Sequence, residues 1–282
     1  MFKKISTSYS LVKTSISFIM RDGELLVYSI FSLISSLIML ATFVGVGFLF
    51  LPEMNNGVNQ TAGDEYTQEI IFILVTFVYY LVFSFITFFF NTAIITSVQR
   101  RIEGKDNMLG DGLKDSVKYI KQIFIWSLIN AIVTTILNTL QRKFGENSFI
   151  GKFIFGLIGG LWNILTFFSF PLMILDNKSP KEAIKESSEL FKKTWGERAI
   201  IHVGVGLIFG LLFILTFFIG IGIIYSGLVV TGIIFILLSI VVLVILSSTC
   251  DVIIKTILLS YSKTGEIPNG VENKELFNNI AY

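Results

Sequence analysis

The stretch AIIHVGVGLIFGLLFILTFFIGIGIIYSGLVVTGIIFILLSIVVLVILSSTC, residues 199–250, decides the fold. Its 52 residues contain no Asp, Glu, Lys or Arg, and only His202 interrupts the apolar run. A single helix of that length would reach about 78 Å, against a hydrocarbon core of roughly 30 Å. The chain must therefore fold back. The turn is expected at Tyr225-Ser226-Gly227, where glycine relieves the backbone. Two spans follow, at about 199–225 and 228–250.

The same reading works outward along the chain. Uncharged runs occupy residues 25–52, 70–99, 122–141 and 153–175, with 28, 30, 20 and 23 residues. Each is long enough to cross a bilayer. They give four more spans, at about 25–51, 70–98, 120–141 and 153–175. The apolar run that begins at Leu25 is too long for a cleaved secretory signal, so it reads as an uncleaved first span. The fold class is all-α: a polytopic bundle of six transmembrane helices in one domain, 1–265, followed by a polar tail, 266–282. The composition agrees, with 53% hydrophobic and 15% charged residues. Soluble domains carry about 25% charged residues.

Charge placement sets the orientation. Of the 22 Lys and Arg, nineteen fall in the N-terminal segment, the 100–121 and 176–198 loops and the C-terminal end. Only Arg142, Lys143 and Lys152 fall on the other side, where the 53–69 loop is acidic. Cytoplasmic loops carry the excess of Lys and Arg. A cell membrane location with both termini in the cytoplasm is expected.

The segment before each odd-numbered span reads as a short amphipathic helix in the membrane interface. SPKEAIKESSELFKKTWGE, residues 179–197, is the clearest. Ser179 suits the N-cap, Pro180 the first helical position, and Glu182 completes a capping box. Ala183, Ser187, Leu190, Phe191 and Trp195 share one face. Lys181, Lys185, Lys192 and Lys193 are candidate contacts for lipid headgroups. The architecture suggests a threefold repeat of short helix plus membrane hairpin.

AIKESSELFKKTWGE before a Gly-rich span, RDGELLVYSIFSLI near the N-terminus, and Pro171 ending the fourth span in FSFPLMILD carry a resemblance. Together they resemble an uncharacterised family of bacterial and archaeal six-span membrane proteins. The layout is also similar to the membrane-anchor domains of some glycerophosphodiester phosphodiesterases, although no phosphodiesterase domain is present. The resemblance implies fold and topology, and it brings no catalytic residue.

Polar residues within the spans are the candidate site. Thr76, Tyr80, Ser84, Thr87 and Asn91 lie on one face of the second span. Ser127, Asn130, Thr134, Asn138 and Gln141 lie on one face of the third. Ser29, Ser32 and Ser36 mark the first span, and Asn163 and Thr166 the fourth. Such stripes avoid lipid. They either line a polar pathway or join helices, and joining is the commoner role. Asp251 and Lys255, four residues apart, are a candidate ion pair. It reads either as an ion or proton site or as a boundary pair with Lys255 snorkelling. Gly156 and Gly160, and Gly206 and Gly210, have the GxxxG spacing of close helix contacts, within the chain or in a homo-oligomer.

Several functions are not expected. A lone His202 and a lone Cys250 supply no triad, disulfide or zinc set. The net charge of +2 does not suggest nucleic-acid binding. No enzyme activity and no cofactor are expected. Membrane lipids are the expected partners, with a membrane-protein partner or a second copy as alternatives. Asn59-Gln60-Thr61 matches a glycosylation sequon that matters only in a eukaryotic secretory host. Two functions stay open: a structural or accessory protein acting on lipids or membrane partners, and a transporter or channel for a small solute or lipid.

Overall fold

The computed structural model describes residues 2–56, 62–145, 149–195 and 200–271, with side chains over 9–45, 66–143, 151–190 and 205–271. The sequon, the side chains of Phe191, Lys192, Lys193, Trp195 and His202, and the tail beyond 271 lie outside the described residues. The described residues form the helices α1 (Phe2–Arg21), α2 (Glu24–Asn56), α3 (Ala62–Ile102), α4 (Leu109–Lys118), α5 (Ile120–Gly145), α6 (Phe149–Leu165), α7 (Ser169–Leu175), α8 (Pro180–Trp195), α9 (Ile200–Tyr225) and α10 (Val229–Thr264). Among the described residues, six helical segments are long and apolar enough to cross a membrane. The turn between α9 and α10 falls where glycine allows it, with Gly227 at φ 92°.

The fourth span is broken. Pro171 has no N–H to give the Phe167 carbonyl, and its ring crowds that carbonyl. The chain answers with three-residue bonds, Phe167 N to Ile164 O at 3.4 Å and Ser169 N to Thr166 O at 3.0 Å. Pro171 therefore does not end the span. It sits in the first turn of α7, and the interruption lies at Thr166, Phe167 and Phe168.

The element order repeats three times as short helix, span, span. Burial shows how the copies assemble. α3 and α10 have 41 and 36 residues, about 62 and 54 Å at 1.5 Å per residue. Both run well beyond a hydrocarbon core of roughly 30 Å. Their excess lies at the Lys- and Arg-rich end and is wrapped by protein. Ala93, Ile94, Ile95 and Val98 of α3, Phe168, Leu172, Met173 and Ile174 of the fourth span, and Ile253, Ile257, Leu258 and Leu259 of α10 form one buried core. The ends of the three even-numbered spans thus meet one another. A left-handed residue follows each of these ends: Gly104 (φ 74°), Asn177 (φ 53°) and Gly265 (φ 68°). Toward the other end the spans expose apolar side chains, including Leu37, Leu74, Leu157, Leu215 and Leu237.

The three short helices close the ring. α4 packs on α3, α8 on α7 and α6, and α1 on α9 and α10. Each rests on the preceding repeat, and the first rests on the last. A shared five-residue pattern makes this docking: Leu11-Val12-Lys13-Thr14-Ser15, Gly112-Leu113-Lys114-Asp115-Ser116 and Ala183-Ile184-Lys185-Glu186-Ser187. In every copy the first residue and the serine are buried and the lysine is exposed. Ser116 Oγ donates to Phe89 O at 2.7 Å, and Phe168 N donates to Ser187 Oγ at 2.9 Å. The described faces of these helices that were expected to lie in the lipid interface therefore rest largely on protein. The capping box of α8 is present: Ser179 N donates to Glu182 Oε2 at 3.1 Å and Glu182 N to Ser179 Oγ at 3.4 Å. The Ser179 hydroxyl and amide hold the Glu182 carboxyl below its ordinary range.

The start of the tail also packs. Asn269 Nδ2 donates to Ile102 O at 2.9 Å, and Val271 is buried.

One further expectation needs correction. A Cβ added at Gly156, Gly160, Gly206 or Gly210 would meet nothing within 4 Å, so these glycines make no close helix contact within the chain. The close approach is between α9 and α10. A Cβ on Gly232 would lie 2.5 Å from Ile224 Cγ1 and 2.8 Å from Gly220 O. Gly232→Val should cost about 1–3 kcal/mol by overpacking, whereas Gly210→Ala should stay within about 0.5 kcal/mol. Unfolding in mixed micelles checks the pair, and equal melting of the two variants would count against the hairpin packing.

Candidate functional site

The polar stripes of the second and third spans face each other and meet in two hydrogen bonds. Asn138 Nδ2 donates to Tyr80 Oη at 2.8 Å, and Asn130 Nδ2 to Ser84 Oγ at 3.0 Å. Ser127 is buried and donates to Ile123 O in its own helix. Thr76, Thr87 and Thr134 are half-buried. In the first span, Ser29 shares a 2.6 Å hydrogen bond with Thr249 of α10. Direct hydrogen bonds between helices are the form these groups take where no water is present to serve them. Four of the ten stripe residues of the second and third spans, Tyr80, Ser84, Asn130 and Asn138, therefore join helices.

At the basic end of the stripes the helices part. A cleft of about 660 Å³ lies among α3, α5, the broken fourth span and α10. It collects Asn91, Asn130, Asn163, Asp251 and Lys255 from the expected candidates, with Thr166 beside them. Thr76, Tyr80, Ser84, Thr87, Ser127, Thr134 and Asn138 do not reach it. Aromatic walls complete it: Phe88, Trp126, Trp162, Phe167 and Phe170. Phe88 packs against Phe170 with ring centroids 4.6 Å apart and against Trp126 at 6.4 Å.

The helix break shapes this cleft. Thr166, Phe167, Phe170 and Pro171 all line it. Irregular backbone at membrane depth is tolerated where it lines a cavity or is buried in protein, and broken helices commonly accompany binding sites in membrane proteins. Asp251 and Lys255 form the pair that their spacing predicts, with Lys255 Nζ 2.6 Å from Asp251 Oδ2. They sit in the wall of the cleft, with their side chains 35% and 27% exposed. The Lys255 ammonium also lies 5.2 Å from the centroid of the Phe167 ring. Apolar walls around one charge pair and a few amides are the usual composition of a small-molecule site.

A model of a family of unknown function, DUF6159, matches residues 70–269. The chain belongs to that family. The DUF6159 segment begins in α3 and ends in the docked start of the tail, so it contains every residue of the cleft. α1 and α2 lie ahead of it. No curated protein and no solved structure matches the chain.

Of the candidate headgroup contacts, Lys181 and Lys185 are exposed on α8 of this DUF6159 protein, away from the cleft. Sequence reading misses the aromatic walls, because Phe and Trp in an apolar span look like any lipid-facing residue. The signal that points to them is Pro171 inside a span, four residues after Phe167.

Proposed function

We propose that the protein is a non-enzymatic, lipid-handling protein of the cytoplasmic membrane that holds an amphiphilic molecule in its cleft. The observation that carries this is the placement of Asp251 and Lys255, a charge pair set among aromatic rings at a broken span. Asp251 lies about 33 Å along α10 from Val229, at the edge of a hydrocarbon core of roughly 30 Å, the depth at which a headgroup would sit. The apolar helices around the cleft would receive acyl chains, while its polar groups receive a headgroup. Both termini lie in the cytoplasm in this reading, supported by the bias of Lys and Arg to one side. The exposed lysines of the docked helices, Lys13, Lys114 and Lys185, support a cytoplasmic face that meets anionic headgroups. Pairing along the α3–α5 seam favours binding at the cleft over conduction through the bundle.

The test is to fill the cleft. Gly160 lines it, and the space beside its Cα is open, so Gly160→Trp should occupy the volume without displacing a helix. Native mass spectrometry of protein released gently from membranes should find a bound lipid on the wild type and much less on Gly160→Trp. Wild type that emerges lipid-free, or a filled cleft that retains the same lipid, would sink the proposal.

A further inference from the structure

We infer that the cleft receives a zwitterionic headgroup of the phosphoethanolamine type, a primary ammonium and a phosphate, whose acyl chains remain in the bilayer. The inference rests on the reading that the cleft holds an amphiphile, and it names the chemistry of that amphiphile.

The site carries one negative and one positive charge in contact, so it is neutral but strongly dipolar. A purely anionic ligand would approach Lys255 and meet Asp251. A purely cationic ligand would meet the reverse. A zwitterion laid antiparallel satisfies both, with its ammonium at Asp251 and its phosphate at Lys255. The groups have capacity for this. The contact with Lys255 engages Asp251 Oδ2, and a carboxylate has a second oxygen with its own lone pairs. An ammonium has three donors, of which that contact needs one. The amides of Asn91, Asn130 and Asn163 border the same space and offer donors to phosphate oxygens. A volume of 660 Å³ lies within the usual range for small-ligand sites, about 300–1,000 Å³.

The type of nitrogen follows from Asp251. A primary ammonium donates charge-assisted hydrogen bonds to a carboxylate, whereas a quaternary ammonium has no proton to donate. An added carboxylate, as in a serine headgroup, would bring a second negative charge to Asp251.

The experiment titrates delipidated full-length protein, in detergent, with four probes followed by native mass spectrometry: phosphatidylethanolamine, phosphatidylcholine and phosphatidylglycerol with matched chains, and chainless glycerophosphoethanolamine. Phosphatidylethanolamine should bind about tenfold or more tighter than the other two lipids, the worth of a charge-assisted hydrogen bond. Asp251→Asn should abolish its advantage over phosphatidylcholine. The double exchange Asp251→Lys with Lys255→Asp retains an i,i+4 pair but inverts the dipole. It should melt like the wild type and lose the preference. Equal binding of the three lipids by the wild type overturns the headgroup assignment and leaves the amphiphile reading standing. Binding of no lipid overturns both. Weaker binding of the chainless probe supports the bilayer as the source, and equal binding overturns that source.

Discussion

Replacing Arg101 with methionine should destabilise the protein by about 2–3 kcal/mol, because Asp22 is buried and would lose its charged partner while Arg101 itself keeps 27% of its side chain exposed. Arg101, in the last turn of α3, holds Asp22, the residue that joins α1 to α2. Its Nε donates to Asp22 Oδ2 at 2.7 Å, and its Nη2 contacts Oδ1. The Asp22 side chain is only 5% exposed. Without the guanidinium, a carboxylate stays in that place with no equal partner. Exchanging both residues, Asp22→Asn with Arg101→Met, should recover much of the loss, because the uncompensated charge is gone. Reversible unfolding in mixed micelles, compared across the single and double variants, reads the coupling directly. A single variant that melts with the wild type would show that the pair does not hold α1 to the bundle.

The second large effect should come from Phe168→Ala, with a loss of about 3–5 kcal/mol. Phe168 is fully buried in the core that the even-numbered spans build. It meets the Phe167 ring edge-on, with centroids 4.7 Å apart. The neighbouring helices cannot collapse fully into the space its ring would leave. Leu215→Ala removes a side chain of similar hydrophobicity from α9, but Leu215 is 56% exposed on the lipid-facing stretch. Lipid or detergent replaces the lost contacts there, so its effect should stay within about 0.5 kcal/mol. The same micelle unfolding compares them. If Leu215→Ala proved the more damaging, the core would not lie at the basic end.

Neither Arg101 with Asp22 nor Phe168 stands out in the sequence, whereas the frame that holds them does. The six spans follow from uncharged runs because a bilayer accepts only helices that satisfy their own backbone. The last hairpin follows from length, and its turn at Gly227 from the freedom of glycine. The threefold order of short helix and hairpin is legible in the sequence, but the pattern that docks the short helices is not. It is only five residues long, and its buried members are Leu, Gly or Ala according to the space available beneath. The polar stripes were legible as a set of residues that avoid lipid. Their division between seam and cleft was not, since Asn130 donates to Ser84 and also borders the cleft.

The Asp251–Lys255 pair shows the same division. Spacing of four predicts that the two side chains meet, because i and i+4 share a helix face. Spacing cannot say what else stands on that face. The break at Pro171 brings Phe167 and Thr166 opposite them, and the pairing of α3 with α5 brings Asn91 and Asn130.

For the 52-residue run at 199–250, then, hydropathy and length suffice to require two helices and a turn. They could not place the end of the second. Chain hydropathy falls at Asp251, where a span would be expected to stop, yet α10 continues to Thr264. It continues because its last turns are sheltered by α1, α3 and α7, and their hydroxyls bond within the helix, as Thr256 does to Val252 O at 2.9 Å. Transfer from water to lipid is a property of each segment and can be read locally. Burial by protein depends on which segments meet, and that is decided only when the three repeats close on one another.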